Sequence, residues 1–586
     1  MSFVLNDAEI QQLSMLDTYN GLTEREKRFL EKSWAKYFAE QIFPKIDEKP
    51  YAVLYSTKDS RPNTPVNVQI GALILKELTG QSDEELLESM MFDVRFQYAL
   101  HTTSCMEQPM SDRTLGRFRA RCMKYEQETG IDLLHDTITA LSREMAEMMN
   151  LNLTLKRMDS LMVASNIKRM SRLELLYTCT ANLAKEIAKR EGSLPEELKH
   201  YTMENDQNLV IYHNRSEETG DKISRILKDT ALLKDLCGND YASSSHYQLL
   251  VRALQEQTIR NEDGTLRLRT KEDGGMNSSM LQNPADPDAT YREKAGKQHR
   301  GYAANVTEAA GENGSIVLDY QYEQNTYSDS QFMKDFLEKE EVHSEEVTVV
   351  TDGAYAGKVN EEKAAEKNIQ LITTNLTGRE ADDILADFEF NKEGTLVIKC
   401  AGGFEPKSCN YNSRTGQCSV SFHRSQCDQC PYRDRCHPKT FKRTCRKVVS
   451  ANAKRRAEQQ RYRRTEEFKE FSNFRNGVES IPSVLRRKYQ VDHIPVRERI
   501  RSKLFFGLKI AALNIRKFCQ YWQSLDKCTQ NTNVTPTRTN NACINDNKNG
   551  FIIICAVKNI LYRKFSFELQ DLGALLFCLL TPKSCH

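Results

Sequence analysis

The chain has 586 residues, a formal charge of +2, 39% hydrophobic and 28% charged residues. That composition argues against a disordered or membrane protein, and the length exceeds one hydrophobic core, so about three or four domains are expected. Seventeen cysteines are spread along a chain whose start, MSFVLNDAEIQQL, has no secretory pattern, which predicts a cytoplasmic location and reduced thiols, some of them on metal.

The near-zero charge hides an asymmetry. Residues 421 to 520 hold 26 Lys plus Arg against 9 Asp plus Glu, a net +17 that leaves −15 for the rest. Such a stretch is expected to meet a polyanion, because Lys and Arg neutralising phosphates supply most sequence-independent nucleic-acid affinity. The alternative is a solvated, Arg-rich helix face.

Residues 1–150 read as a helical N-terminal domain for DNA binding or assembly. NVQIGALILKELTG is apolar at helical spacing and ends at Gly80, and SDEELLESMM opens with Ser82 and Glu85, a capping pair. MSDRTLGRFRARC then starts with a cap-like Ser111 or Asp112 and presents Arg113, Arg117, Arg119 and Arg121. A helix of this kind sets its first residues on base edges and its arginines on phosphates; a packing or dimerisation module is the alternative.

Residues 151–170 read as the first strand of a catalytic core. Leu153, Leu155, Leu161 and Val163 mark the strand, and Asp159 stands at its middle, a residue type that disfavours strands and burial and therefore signals function. Residues 171–290 interrupt the sheet as an all-helical insertion. It ends in a polar loop, GGMNSSMLQNPADPDATYREKAGKQHRGY, whose Arg292, Lys294, Lys297 and Arg300 reach for phosphates or simply stay solvated.

The core continues over 291–380. GYAANVTEAAG and SIVLDYQYEQN form a hairpin about GENG, TYSDSQFMKDFLEKEE a helix, EVTVVTDG a short strand, NEEKAAEKN a helix and IQLITTN a strand. That order predicts an α/β fold, a mixed sheet with helices on both faces. Asp352 ends its strand, where open α/β sheets take ligands, although Asp before Gly353 also suits a plain turn.

Residues 381–450 read as a β/Cys-rich insertion. Cys427 and Cys430 form a CxxC with Cys436 beyond it, and Cys409, Cys418, His423 and His437 lie near. Cys418, Cys427, Cys430 and Cys436 are candidate ligands of a structural Zn²⁺ that would fold a segment too small for its own core. Residues 451–523 form the basic helical end of the core, with Arg475, Glu479 and Arg486 in FRNGVESIPSVLRRKY. Pro482 puts Glu479 in a first helical turn or beside a kink, and a surface ion pair with Arg475 is the plain alternative for it. Glu498 is the reserve acid and Asp319 a weaker competitor. Residues 524–586 are a linker and an unassigned tail, whose runs GFIIICAVKNILY and LGALLFCLL are too short to span a bilayer. Taken together, Asp159, Asp352 and Glu479 have the chemistry to hold two divalent cations on a phosphodiester, and their oxygens suit Mg²⁺ or Mn²⁺.

In DRTLGRFRARC, MDSLMVASNIKRMSR, DPDA with KQHRGY, VVTDGAYAG, the cysteine cluster and the late R-x3-E followed by ALNIRKF, the chain resembles bacterial insertion-sequence transposases of the DDE type from about residue 50 to 520. The resemblance implies a ribonuclease H-like core with Asp159, Asp352 and Glu479 as catalytic metal ligands. It also implies phosphate-binding roles for Arg475, four before Glu479, and Arg486, seven after it; Ser472 stands where relatives often carry a Tyr. The implied activity is a DNA transposase that binds the terminal inverted repeats of an insertion sequence, cuts, and joins the exposed 3′ hydroxyl to target DNA. Its implied partner is double-stranded DNA, held by a homodimer on paired ends at the nucleoid, with no membrane and no small-molecule substrate. Two alternatives stay open: an inactive DNA-binding descendant, which Pro482, Ser472 and the tail suggest, and a metal-dependent nuclease without strand transfer.

Overall fold

The computed structural model of the chain describes residues 1–6, 17–58, 60–105, 108, 110–111, 113–212, 215–294, 296–374 and 381–532. They form two compact units: unit 1 takes residues 1–153, 159–332 and 480 onward, and unit 2 takes residues 154–158 and 333–479.

Unit 1 starts with α1 (Glu24–Glu31), α2 (Trp34–Tyr37), α3 (Val66–Thr79), α4 (Asp83–Phe92), α5 (Val94–Ala99), α6 (Thr114–Thr129) and α7 (Leu133–Met148). Gly80 ends α3 with φ +76°, a left-handed conformation that glycine takes without a Cβ penalty. Ser82 and Glu85 form the expected capping box of α4. The start of α6 departs from expectation. Arg113 holds the N-cap position without a side-chain bond, and the Ser111 hydroxyl is engaged with Thr114 Oγ1 at 2.9 Å. Asp112, the other expected cap, lies outside the described residues.

Strand β1 (Leu155–Ala164) belongs to unit 1 from Asp159 onward. The insertion follows, with α8 (Arg172–Glu191), α9 (Thr219–Cys237) and α10 (Ser245–Gln257) packed about a core of their own that includes Leu176, Leu183, Leu233 and Leu250. It is not all-helical: β2 (Thr258–Arg260) and β3 (Leu266–Leu268) close it as a hairpin. The end of the expected polar loop is also strand. β4 (Thr290–Lys294) pairs antiparallel with β5 (Lys297–Gly311), turning at Gly296 with φ +73°, and β5 pairs with β6 (Gly314–Gln324) as the expected hairpin. Polar residues disguise β4, but their alternation and the turn glycine define it.

The chain passes through α11 (Asp329–Lys339) into unit 2. There Leu155, Lys156 and Arg157 of β1 pair in parallel with β7 (Val347–Thr351), and β7 pairs in parallel with β8 (Ile369–Thr373), α12 (Lys358–Glu366) lying between them in sequence. The apolar run VTVVT suits a parallel strand covered on both faces. The Cys-rich segment has a small hairpin, β9 (Glu389–Phe390) with β10 (Val397–Lys399). A four-stranded antiparallel sheet follows, made of β11 (Ser408–Asn412), β12 (Gln417–His423), β13 (Lys439–Thr440) and β14 (Thr444–Val449) in the order β11-β12-β14-β13. Two short helices, α13 (Arg424–Asp428) and α14 (Arg433–Cys436), interrupt it. α15 (Ala451–Tyr462) and α16 (Glu466–Asn476) complete the unit, with Phe468 of α16 buried against Val350 and Ile372.

The chain returns to unit 1 as α17 (Ser480–Arg487) and α18 (Arg499–Thr532). α18 runs past the boundary expected at 523, and the rest of the expected linker and tail lies outside the described residues. It packs on α3, α7 and β6. The fully buried Asn514 accepts from the Val317 N–H at 2.9 Å and donates to the Val317 carbonyl at 2.7 Å and to Ser142 Oγ at 2.9 Å. Three α18 cations are internal: Lys503 meets Asp132 at 2.8 Å, Lys509 meets Glu77 at 2.6 Å and Lys517 meets Glu308 at 2.8 Å.

The packing of α18 leaves no room at one glycine. A Cβ on Gly507 would lie 2.7 Å from Tyr320 Cζ and 3.3 Å from Ile138 Cδ1. Gly507→Ala is therefore expected to destabilise by about 1–3 kcal/mol although alanine is the better helix former by roughly 1 kcal/mol. Gly116→Ala in α6, with nothing within 4 Å, is expected to stabilise; urea unfolding of both variants checks the contrast.

Burial alone would lower the His135 pKa, but Asp136 and Asp319 overcome it and raise it to about 9, the Asp319 carboxylate lying 2.8 Å from Nε2. A raised pKa contributes its full stability below the unfolded value near 6.5 and loses it as pH rises through about 9. The melting temperature is expected to fall between these pH values, and to fall less in His135→Gln, as differential scanning calorimetry would show.

Candidate catalytic acids and their supports

Asp159 is half-buried in β1, and its Oδ1 accepts from the Ser160 N–H at 3.0 Å. Just before it, in unit 2, the buried Arg157 guanidinium donates to the Phe474 carbonyl at 2.6 Å and stacks 5.1 Å from the Phe474 ring centre. Just after it, in unit 1, Arg486 donates to the Met162 carbonyl at 2.9 Å and to Asp492 Oδ2 at 3.1 Å, while the Ala164 N–H donates to Asp492 Oδ1 at 3.1 Å. Each unit thus ties its own part of β1 to the stretch of chain that also carries Glu479.

Asp352 follows the last residue of β7 and is half-buried. Its Oδ1 accepts from the Ala354 N–H at 2.9 Å and caps the short 3-10 turn Gly353–Tyr355. One carboxylate therefore serves as the turn former while standing at the strand's carboxyl end. Asp352 makes no ion pair among the described residues.

Glu479 ends a 3-10 turn, Gly477–Glu479, between α16 and α17. Pro482 is the third residue of α17, where a missing N–H costs little, so the expected kink is realised as a break just before it. The Glu479 side chain is 62% exposed and accepts from Arg475 Nη1 at 2.6 Å, while the Arg475 side chain is only 10% exposed. Arg475 is thus turned onto Glu479, four residues on, rather than outward to a phosphate.

The other expected site residues divide by burial. Arg113 and Arg117 are exposed on α6, and Lys297 is exposed beside the β4–β5 turn. Arg119 is not available: it pairs with Asp83, Nη1 to Oδ1 at 3.1 Å, and lies over the Phe505 ring. Burial pushes the Asp83 carboxyl up, yet Arg119 and Lys76 hold it at about 2. Arg300 is half-buried over Tyr291. Glu498 has a positive φ of 72° and pairs with Arg501 at 3.4 Å, and Asp319 is committed to His135.

Sequence reasoning missed Asp286. It is fully buried; its Oδ1 accepts from the Tyr302 hydroxyl at 2.6 Å and the Glu498 N–H at 3.1 Å, and its Oδ2 from the Ser165 hydroxyl. The DPDA loop is therefore a structural clasp on β5, on the end of β1 and on the start of α18, not a solvated connection. Gly301 of HRGY works beside it: a Cβ there would lie 2.5 Å from the Ser165 N. An acidic pair bracketing Pro287 was the available signal.

The cysteines also regroup. Cys418 is fully buried in β12 and donates to the Thr395 carbonyl at 3.2 Å; burial and the neighbouring Cys409 push its thiol up to about 11. Cys427, Cys430 and Cys436 instead neighbour Cys400 and Cys445. Among the described residues, no three His, Cys, Asp or Glu side chains stand arranged to hold a metal ion.

Residues 26–121 match the family model described as Transposase domain (DUF772), and residues 400–519 match the one described as Transposase DDE domain. Both matches support a DDE-type insertion-sequence transposase. The first match covers most of α1 to the middle of α6, and the second runs from Cys400 through Glu479 to Cys519; Asp159 and Asp352 lie outside both. No curated protein and no solved structure matches the chain. Among the described residues no helix is long and apolar enough to cross a membrane.

The exposure of Glu479 separates a structural from a chemical role. Glu479→Gln keeps an acceptor for the buried Arg475 guanidinium while removing its charge partner, and is expected to cost about 1–2 kcal/mol. Arg157→Ala, which strips a buried guanidinium from the Phe474 carbonyl and ring, is expected to cost about 2–4 kcal/mol; denaturant melts of the two variants test the difference.

Proposed function

We propose that the transposase binds the terminal inverted repeats of its own element and catalyses metal-dependent strand cleavage and strand transfer, with Asp159, Asp352 and Glu479 as its catalytic acids. Asp352 carries the proposal: it is a half-buried carboxylate at the carboxyl end of a parallel strand with no ion pair among the described residues, in a chain matching a transposase DDE domain. This end of an α/β strand is where ligands are taken up.

The donor set is chemically right for the divalent metal that such transposases imply. All three groups are hard carboxylate oxygens suited to Mg²⁺ or Mn²⁺, and Asp159, Asp352 and Glu479 are the residues that would hold the ions. When bound, a pair of such ions supplies an activated water and stabilises the attacking and leaving oxygens of an in-line displacement. The chain's own part is positioning. The Ala354 N–H orients Asp352, and the Phe474 and Met162 anchors fix β1 about Asp159. Glu479 would have to leave Arg475 to hold an ion, and the Arg475 guanidinium would then be placed to take a phosphate oxygen.

Exposed cations supply the affinity for double-stranded DNA: Arg113 and Arg117 of α6, Lys297, and Lys439, Lys442, Arg443 and Arg446 along β13 and β14. Arg446 lies 5.4 Å from the exposed Phe441 ring centre. The protein works as a homodimer on paired ends. A second reading, an inactive DNA-binding descendant, is favoured by the Arg475–Glu479 pair and by Ser472.

The test incubates the full chain with a labelled duplex bearing the ends of its element and Mg²⁺, and maps cuts on both strands. Cleavage at the element boundary is expected, with a loss of at least about a thousandfold in Asp159→Asn and in Asp352→Asn and DNA affinity retained. Undiminished cleavage in either variant overturns the site; binding without cleavage in Mg²⁺ and Mn²⁺ establishes the second reading.

A further inference from the structure

The Cys-rich part of unit 2 has few large apolar residues to hold it. Its core rests on Phe388, Val397, Val420, Phe422 and Val449, with Cys400, Cys427 and Cys436 packed against them. Three of the segments meeting there are turns that each carry thiols. Cys400 opens a tight turn in which the Gly403 N–H donates to the Cys400 carbonyl at 2.8 Å and the Cys400 N–H to the Phe404 carbonyl at 3.0 Å. Cys427 lies in α13, and the Cys430 N–H donates back to the Cys427 carbonyl at 3.3 Å, a CxxC turn. Cys436 ends α14, its N–H donating to the Tyr432 carbonyl at 2.8 Å.

These turns approach each other closely. A Cβ on Gly402 would lie 2.8 Å from Cys430 Sγ, so the Cys400 turn and the CxxC turn touch where only glycine fits. Cys427 has Cys445, Cys400 and Cys436 as neighbours, and Cys436 has Lys447, Cys400 and Cys430. Cys418 is not of this group: it faces Cys409 and the Thr395 carbonyl across β11 and β12.

We propose that Cys400, Cys427, Cys430 and Cys436 bind one structural Zn²⁺, with Cys445, whose S–H donates to Thr440 Oγ1 at 3.9 Å, as a neighbour of Cys427 outside the ligand set. As they stand no three of these side chains are arranged to hold a metal ion, so binding would rotate them inward, a change open to them because none of the four sits within a strand ladder. On binding, the four thiols give their protons to solvent, and the ion with four thiolates carries a net 2− charge. Lys447, whose Nζ donates to the Cys436 carbonyl at 2.5 Å and meets Asp382 at 3.3 Å, offsets part of that charge. Four soft sulfur donors in a small loop-rich fold select zinc over the hard cations of the carboxylate site. Zinc then provides the cross-link that the thin apolar core does not.

The test measures the metal content of the purified full chain, wild type, Cys400→Ser, Cys418→Ser and Cys445→Ser, by inductively coupled plasma mass spectrometry. About one zinc per chain is expected in wild type and in Cys418→Ser, zinc retained in Cys445→Ser, and at least a tenfold loss of zinc affinity in Cys400→Ser. A wild type without zinc, one that holds iron instead, or zinc kept in Cys400→Ser but lost in Cys418→Ser or Cys445→Ser overturns the proposal. Because Cys400→Ser can fail to fold, Co²⁺ substitution of the intact wild-type chain gives a second readout. The intense tetrahedral spectrum with thiolate-to-cobalt charge transfer supports the site, and a weak octahedral spectrum overturns it.

Discussion

β1 is the constraint on which the rest of the fold depends. Its first residues are laddered to β7 in unit 2, and its last residues answer in unit 1 to Arg486 and Asp492. A strand that carries Lys156 and Arg157 into burial needs partners for both charges. Lys156 meets Glu340 at 3.3 Å and lies over Phe336, and Arg157 takes the carbonyl and ring of Phe474. Arg157 in turn dictates the course of the chain just beyond α16. A Cβ on Gly477 would lie 2.9 Å from Arg157 Cζ, so a larger residue after α16 would displace the guanidinium, and with Pro482 close behind, the helix breaks there and resumes as α17. The turn bearing Glu479 is therefore shaped by a buried arginine on the strand that bears Asp159.

The distribution of charge obeys the same logic. The net +17 of residues 421 to 520 suggested one large phosphate-binding surface, yet many of those cations are neutralised internally. In unit 2, Arg461 meets Asp383 at 3.2 Å and Asp387 at 2.5 Å, and Arg455 pairs with Glu361. In unit 1, Lys503, Lys509 and Lys517 are bound to carboxylates of α6, α3, β5 and the α6–α7 turn. The acidic excess elsewhere in the chain is in good part the counterpart of these cations. Burying a cation beside an anion avoids the desolvation penalty of leaving either alone, and it leaves a smaller set, such as Lys439, Lys442, Arg443 and Arg446, facing solvent.

What was legible in the sequence was local. The caps of α3 and α4, the β5–β6 hairpin, the β7 strand ending at Asp352 and the helix after it are set by periodicity and turn residues within a few positions of themselves, and they fall where those signals put them. What was not legible depends on partners far away in the chain. Arg119 looked like a phosphate ligand until Asp83 and Phe505 claimed it. Asp286 and the strand β4 were hidden in a polar stretch because their partners, Tyr302, Ser165 and the start of α18, are supplied by other segments. The nearness of Cys400 to the CxxC was hidden for the same reason: spacing along the chain favours Cys418, whereas the fold brings a turn from before β11 to the CxxC and puts Cys418 in a strand.

The three acids also differ in how firmly they are held, and the difference bears on how such a site would work. Asp159 is carried by a strand and Asp352 by the end of one, where backbone ladders and the Ala354 cap fix their positions before any ligand arrives; preorganisation of this kind costs nothing at the moment of reaction. Glu479 is exposed on a short turn and already satisfied by Arg475. Recruiting it under the proposed function would break that charge-assisted hydrogen bond, a cost that would be offset where metal and DNA are both present. Under the proposed function, the weakly held third acid thereby couples completion of the site to arrival of its substrate, and an acid that looks disengaged in the protein alone is what such coupling requires.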